Sequence, residues 1–388
     1  MISQFHKTII LALALMMSVT GYAAKVEING IFYDLNRATK EASVTRGVLS
    51  SNYASYKGDI NIPSSVTYND TTYIVTSIGE CALLYYKDIN SVTIPNSVTS
   101  IGDRAFCGCE KITSVNIPES VKNIGNEAFR DCHSITTIYI PQSVTCIGED
   151  AFTNCKSFTS IKVDKNNTKY DSRNDCNGII NTSTNEFIKG CVNSTIPESV
   201  TSIGKNAFSS CENLRSIIIP QSVKTIGEGA FANCECLKSV TIHDSVTSIG
   251  AKAFWGCGFS SFKIPNNLTY IGNDAFIYTK IEHITIPASL TNIEPNAFEY
   301  CIHLKSVTNL SKIPQNITFY TFLKEDSAHG SVIIMPVNNE DTSTEHPQHI
   351  EPTKKEVEPI ILFVPKNCKK AYQEAEGWKL FKIEELEK

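Results

Sequence analysis

The chain repeats one short motif at a nearly fixed period, and this repetition restricts its fold more than any other feature. The stretch IPNSVTSIGDRAFCGC begins at Ile94, and close copies begin at Ile117 and Ile140, at steps of 23 residues. After one larger gap the steps are 23 and then 22 residues, and these copies begin at Ile196, Ile219, Ile242, Ile264 and Ile286. Repetition at this spacing is typical of solenoids and related arrays.

Two short alternating segments in each copy predict two strands. In the copy that starts at Ile112, SVNI and VKNI alternate apolar and polar positions and are rich in β-branched residues, which favours strands. Pro118 lacks an amide hydrogen and predicts a corner after the first strand. Gly125 follows the second strand, where we expect a turn with positive φ. The segment NEAFRDC then predicts a short turn or 3₁₀ segment that closes the coil.

One such unit cannot bury its own apolar side, whereas stacked units can. Equivalent strands of successive coils would pair in parallel at about 4.8 Å, so that like side chains form continuous columns. The sequence therefore predicts a β-rich solenoid of about ten coils, each of 22–23 residues, with parallel strands.

The departures from the repeat predict the domain boundaries. We expect an N-terminal β cap at 24–61, the solenoid at 62–322 and a C-terminal cap at 360–388. The gap in the repeat predicts a hairpin-containing insertion at 164–195, because NGIINTSTNEFIKG reads as strand, turn and strand. A polar, proline-containing stretch at 323–359 predicts a disordered insertion.

The first 23 residues have the features of a secretory signal peptide. Lys7 and the amino terminus precede an apolar run from Ile9 to Val19, which is shorter than the ~20 residues of a membrane helix. Small residues then predict cleavage after Ala23, with Ala24 as the alternative. The sequence thus predicts a secreted or cell-surface protein without a membrane span. The formal charge of −5 does not favour a nucleic-acid partner.

The repeat resembles one known class. The pattern from Ile112 to Cys132 recurs from Leu214 to Cys234 and, apart from His243, from Leu237 to Cys257. It is similar to the BspA-like leucine-rich repeat, and the chain ends resemble those of exported members from Bacteroidota. The resemblance implies a secreted or surface protein, and some members are implicated in adhesion to host proteins and to other bacteria. The sequence departs from the pattern at Leu83, Thr279 and Glu294–Pro295.

The fourteen cysteines fall into two groups. Seven follow the repeated phenylalanine by three residues and predict a buried column of reduced thiols: Cys109, Cys132, Cys155, Cys211, Cys234, Cys257 and Cys301. Stacked side chains about 4.8 Å apart have poor geometry for disulfides. Cys176 and Cys191 bracket the predicted hairpin at opposed positions, so we predict a disulfide between them, and the alternative is two separate buried thiols.

No catalytic motif is present in the sequence, and we expect neither an enzyme nor a cofactor or metal. There is no phosphate-binding loop, zinc-protease motif or nucleophile elbow. His346 and His349, with Glu345 and Glu351, could chelate a metal weakly, but a disordered loop is the preferred interpretation.

The remaining functional candidates point outward from the strands. Reading down the coils gives ladders of small polar residues interrupted by larger ones, of which we select Tyr139, Lys162, Ile218, Lys263 and Tyr270 as a binding face. We expect a non-enzymatic protein-binding or adhesion module whose partner is a host-matrix or bacterial surface protein. The alternative is a glycan- or peptide-binding accessory protein of an uptake system. The polar ladders could also serve only solubility, and the oligomeric state stays open.

Overall fold

The computed structural model describes residues 24–47, 56–322, 324–326, 331–333 and 359–387. The chain divides into two compact units, Met1–Asp171 and Ser172–Lys388. The predicted signal peptide and the two histidines of the polar insertion lie outside the described residues. Within them, the single α-helix is Lys369–Glu374, and short strands supply nearly all other regular structure.

The first unit begins with an antiparallel sheet that passes into parallel coils. Its strands are Ala24–Ile28, Ile31–Asn36, Glu41–Val44, Gly58–Asn61, Ser65–Tyr68, Thr71–Ile78, Ile89–Thr93, Ser100–Ile101, Asn123–Ile124, Thr137–Ile140, Cys146–Ile147, Ser160–Val163 and Tyr170–Asp171. The first three pair as a meander, as expected of a cap. Gly58–Asn61, placed in the cap by the sequence, instead pairs in parallel with Ile89–Thr93 and so belongs to the first coil.

The second unit continues the same pattern of short parallel strands. Its strands are Ile179–Asn181, Glu186–Lys189, Ser202–Ile203, Ser216–Ile218, Thr225–Ile226, Ser239–Thr241, Ser248–Ile249, Tyr270–Ile271, His283–Ile286, Asn292–Ile293, Ser306–Asn309, Lys324–Asp326, Ser331–Ile333, Ile361–Val364 and Lys382–Glu385. The 3₁₀ segments are Arg173–Asp175, Phe319–Phe322 and Trp378–Leu380. Lys324–Asp326 pairs antiparallel with Ser331–Ile333, inside the insertion for which disorder was predicted; residues 334–358 lie outside the described part of the chain.

Equivalent residues of successive coils pair in register, as the repeat predicts. We call the row formed by the first strands of successive coils the first-strand ladder, and the row formed by the second strands the second-strand ladder. In the first unit the second-strand ladder pairs Ser77, Ser100, Asn123 and Cys146 in turn. In the second unit it runs Glu186, Ser202, Thr225, Ser248, Tyr270 and Asn292. The predicted hairpin is present, and its second strand enters this ladder in place of a regular coil. This arrangement confirms the parallel β-rich solenoid.

Stacked phenylalanine rings form the centre of each unit. Phe129 lies between Phe106 and Phe152 with ring centroids 5.0 and 5.5 Å apart. In the second unit seven rings stack at 5.0 to 5.4 Å, namely Phe187, Phe208, Phe231, Phe254, Phe276, Phe298 and Phe322. At the C-terminal end Trp378 and Phe381 cover Phe322, and the Trp378 indole donates a 2.7 Å hydrogen bond to the Gln315 carbonyl. The core is therefore one apolar column per unit, closed in the second unit by the cap.

The repeated glycine is required by close packing, and the positive φ predicted for Gly125 is wrong. Gly125 is absent from the residues with positive φ. A Cβ atom there would lie 2.5 Å from the amide nitrogen of Asp103 and from the carbonyl carbon of Gly102. The positive φ occurs two residues later instead, at Glu127, where φ is 52°. The glycine thus lets the backbones of successive coils approach.

Candidate functional site

In the first unit, two of the predicted face residues lie side by side. Tyr139 and Lys162 are partners in the parallel pairing of Thr137–Ile140 with Ser160–Val163, and both point outward. Alternation within the strand causes this, because Ile138 and Ile140 occupy the buried side. Tyr139 keeps 42% of its surface exposed. The strand therefore presents an aromatic ring beside an ammonium group.

A hydrogen bond fixes the outer end of the Tyr139 side chain. The Tyr139 hydroxyl donates to the carboxylate of Asp164, the residue that directly follows the strand Ser160–Val163. This bond raises the pKa of Tyr139 to about 12 and lowers the pKa of Asp164, because it stabilises the protonated hydroxyl and the ionised carboxylate. The ring is consequently oriented at neutral pH, which reduces the entropy that a partner would have to remove.

In the second unit, the predicted residues divide between two ladders. Ile218 is 66% exposed and pairs with Thr241 in the first-strand ladder, and Lys263 is also exposed. Tyr270 is half-buried and lies between Ser248 and Asn292 in the second-strand ladder. The five residues chosen from the sequence therefore belong to two ladders and two units. Their role in binding stays a prediction.

An aromatic cluster on the closing turns was missed by the sequence interpretation. Trp255 packs against Tyr278 with ring centroids 5.9 Å apart, and Tyr278 stacks on Tyr300 at 5.0 Å. Tyr278 is 49% exposed. The signal was available, because Tyr278 and Tyr300 both follow a column phenylalanine by two residues. We call these three residues the aromatic turn cluster.

Polar side chains directly after the glycine column hold neighbouring coils together. An oxygen of Asp103 accepts the amide hydrogen of Asn126 at 2.8 Å, and an amide oxygen of Asn126 accepts that of Glu149 at 2.8 Å. Arg104 pairs with Glu127, which lowers the pKa of that carboxyl. These residues line a groove of about 530 Å³. Among the described residues no group of three potential ligands could hold a metal ion.

The seven cysteines of the predicted column are buried and act as hydrogen-bond donors. The Sγ–H of Cys132 donates to the Phe106 carbonyl of the preceding coil at 3.1 Å, and Cys234 donates to the Phe208 carbonyl at 3.2 Å. Equivalent bonds are made by Cys109, Cys155, Cys257 and Cys301. Cys211 follows the hairpin, and its sulfur lies 3.8 Å from the Gly190 carbonyl instead. Burial raises the pKa of Cys109 to about 12. Burial also raises the pKa of Cys132, Cys211, Cys234 and Cys257. These thiols are therefore protonated at neutral pH, as donation to a carbonyl oxygen requires.

The register assumed for a Cys176–Cys191 disulfide is wrong at one position. The hairpin pairs Ile180 with Phe187 as expected, but a bulge then pairs Ile179 with Lys189 instead of Ile188. One extra residue on the second strand removes the direct opposition of the two cysteines. Both are buried thiols in the structure, and the Cys191 sulfur accepts a 3.2 Å hydrogen bond from the Asn177 amide.

We expect the column thiols to react only after unfolding. At about pH 8 a chromogenic aromatic disulfide reagent should modify Cys146 and Cys236 rapidly, because both are exposed. The column thiols should not react in the folded protein, because burial excludes the reagent. After unfolding in guanidinium without reductant, all fourteen cysteine thiols should react with the reagent. A denatured count of twelve would instead show one disulfide, and peptide mapping would test Cys176 and Cys191 first.

The fold and its repeated columns define a leucine-rich-repeat solenoid. The chain belongs to the BspA type leucine rich repeat family, whose repeat matches in six copies over residues 76–177, 179–305 and 226–330. Members of this family are typically secreted or cell-surface proteins, and such repeats are generally non-enzymatic scaffolds that bind proteins. Within the described residues no helix is long and apolar enough to cross a bilayer.

Two solved structures illustrate the likeness. A leucine-rich repeat protein from Bacteroides ovatus is 27% identical, with a TM-score of 0.51, over 75% of this chain and 72% of that one. The pneumococcal vaccine antigen PcpA is 15% identical, with a TM-score of 0.58, over 95% of this chain and 100% of its own, and shares the fold. None of the curated proteins compared with the chain matches it.

Proposed function

We propose that this protein is an exported, non-enzymatic module that binds another protein through the outward ladders of its coils and acts in adhesion. The observation that carries the proposal is the exposed pair of Tyr139 and Lys162, which neighbouring strands hold in register. Family membership supports protein binding and a location outside the cytoplasm. The predicted signal peptide, which lies outside the described residues, is consistent with export.

The physical argument rests on rigidity and on exposed apolar area. Repeated strands hold their outward side chains at fixed spacing, so a partner meets a preorganised surface. Tyrosine and exposed aliphatic side chains supply contact area, and few residues carry most of the binding energy of an interface. We take Tyr139 in the first unit and Ile218 in the second as the anchors, because both are exposed on the first strands of their coils, with 42% and 66% of their surface accessible.

The proposal is tested with the mature chain beginning at Ala24. It should bind members of a panel of purified matrix proteins, and Tyr139→Ala or Ile218→Ala should weaken that binding about tenfold, equivalent to about 1.4 kcal/mol. Surface plasmon resonance gives the affinities. Tyr139→Phe is the matched control, because it keeps the ring but removes the hydrogen bond to Asp164.

Three outcomes would count against the proposal. Unchanged binding by both alanine variants would show that the strand ladders are not the contact surface. Binding to a glycan array without any protein ligand would favour the accessory role in glycan uptake. Turnover of a substrate that is lost on changing one acidic residue would indicate an enzyme.

A further inference from the structure

The chain contains two Asn-Gly pairs, and the structure places them in different surroundings. In an Asn-Gly pair the backbone amide of the glycine can attack the side-chain amide of the asparagine, because glycine has no side chain to hinder the approach. Asn29 and Gly30 form the exposed tip of the first hairpin, whereas Asn177 and Gly178 precede the strand Ile179–Asn181 inside the hairpin insertion. The two pairs thus allow a comparison within one molecule.

The first pair forms a tight two-residue turn. Ile28 pairs with Ile31 across the hairpin, and Asn29 and Gly30 between them have φ of 51° and 79°. Positive φ at both central residues is the mark of a type I′ turn, for which Asn-Gly is a favoured sequence. The turn therefore explains why these residue types are present, and it also places a reactive pair at the surface.

Within the described residues, the two reacting groups of this turn have no partner. The Asn29 side chain forms no hydrogen bond with them, and the Gly30 amide hydrogen has no acceptor among them. A Cβ atom at Gly30 would meet no atom within 4 Å. The strand Ala24–Ile28 lies at the edge of its sheet and pairs with Ile31–Asn36, so the hairpin tip can open at low cost.

The second pair is held and covered. The Asn177 side-chain nitrogen donates a 3.2 Å hydrogen bond to the Cys191 sulfur, and the Asn177 backbone carbonyl accepts one from the Ser194 hydroxyl. Gly178 is buried, and a Cβ atom there would lie 2.4 Å from the Phe187 ring. Rotation of the Asn177 side chain toward the next amide would break its hydrogen bond in packed surroundings.

We propose that Asn29 is a site of spontaneous deamidation and that the product loosens the first strand. The Gly30 nitrogen bonds to the side-chain carbonyl carbon of Asn29, the bond from that carbon to the side-chain nitrogen breaks, and ammonia leaves with the proton from the Gly30 amide. The cyclic imide then takes up one water molecule and opens to aspartate or isoaspartate. Isoaspartate adds a carbon atom to the backbone, so the link between Ile28 and Ile31 no longer fits a two-residue type I′ turn.

The test incubates the whole chain from Ala24 in mildly alkaline buffer and follows both asparagines by peptide mapping with mass spectrometry. Isoaspartate is measured separately with an isoaspartyl methyltransferase and a labelled methyl donor. In the folded protein Asn29 should deamidate at least about tenfold faster than Asn177, because the exposed turn opens at a lower free energy. In guanidinium the two rates should become similar. Mildly acidic buffer should slow the reaction at Asn29, because the attacking nitrogen must lose its proton.

Asn29→Gly is the matched control, because Gly-Gly also forms type I′ turns and contains no side-chain amide. It should abolish the signal at this position and keep the melting temperature of the wild type. Freshly prepared Asn29→Asp carries the added charge without the extra backbone atom. Amide hydrogen exchange in Ala24–Ile28 should be at least about tenfold faster in the isolated isoaspartate form than in Asn29→Asp.

Three results would overturn the proposal. Equal rates at Asn29 and Asn177 in the folded protein would show that the fold does not distinguish the two pairs. Absence of isoaspartate at Asn29, under conditions that convert this residue in guanidinium, would show that the turn protects it. Equal hydrogen exchange in the isoaspartate form and in Asn29→Asp would show that the first strand is not loosened. These measurements involve no binding partner, so their outcome is independent of the proposed adhesion.

Discussion

Gly125→Ala should lower the free energy of unfolding by about 3 kcal/mol, although it adds only a methyl group. The new Cβ would lie 2.5 Å from the backbone nitrogen of Asp103 and from the carbonyl carbon of Gly102. Backbone atoms cannot turn aside as a flexible side chain can. The coils would have to separate, which strains the 2.8 Å hydrogen bond from the Gly125 amide to the Ile101 carbonyl. Guanidinium denaturation followed by circular dichroism measures the effect.

Glu294→Ala is the matched control, because the chain already carries a side chain at that position of its coil. The coil accommodates that side chain with one long backbone hydrogen bond. The Asp274 amide lies 3.4 Å from the Pro295 carbonyl, whereas the equivalent distance from the Glu127 amide to the Glu149 carbonyl is 2.8 Å, and the Glu294 amide keeps a 2.9 Å bond to the Ile271 carbonyl. Because Glu294 already has a Cβ atom at this position and the substitution removes only the partly exposed atoms beyond it, Glu294→Ala should change stability by less than about 0.5 kcal/mol. Equal effects of the two substitutions would refute the close-packing role of the glycine.

The columns could be predicted from sequence because every coil gives a position the same surroundings. Val121, Ile124, Phe129 and Cys132 recur at fixed spacing, and each is buried. Periodicity alone therefore identifies the inward side chains and the parallel register. It also predicted that Tyr139 would point outward, because a strand alternates its side chains between two faces.

The turns could not be predicted in the same way. Residue types do not reveal the left-handed positions, since Arg104, Glu127 and Lys252 all have positive φ although none is glycine. The hydrogen bonds between coils impose this conformation; for example, the Glu127 amide donates to the Glu149 carbonyl. For this reason the sequence pattern predicted a positive φ at Gly125, whereas close packing of successive coils requires the glycine.

The binding candidates show the same limit. Alternation identified Tyr139 and Ile218 because they lie on strands. The aromatic turn cluster was missed because its contacts join residues 22 or 23 apart on irregular turns, as in Tyr278 with Tyr300. Only the stack of coils brings these side chains together. The hairpin bulge at Ile188 was missed for a related reason, because the sequence gives the length of a hairpin without its irregular pairing.

Phe231→Ala should have the largest effect on stability of any substitution considered, with a loss of about 4 kcal/mol in the free energy of unfolding. Phe231 is fully buried, and its ring stacks on Phe208 at 5.1 Å and on Phe254 at 5.3 Å. Removal of the ring leaves a cavity inside a continuous column and ends two aromatic contacts at once. Chemical denaturation of the variant gives the magnitude.

Phe231→Leu separates the volume of the ring from its stacking. Leu83 fills the same position of a coil in the first unit and is fully buried, so the fold accepts leucine in this column. We expect a loss of about 1.5 kcal/mol for this variant, because most of the volume is retained while the stacking is lost. Coils contact mainly their neighbours, so hydrogen exchange in Phe231→Ala should increase most in the adjacent coils around Phe208 and Phe254. A uniform increase across both units would show that unfolding is cooperative throughout the chain, and a loss below about 1 kcal/mol for Phe231→Ala would show that the ring column does not stabilise the stack.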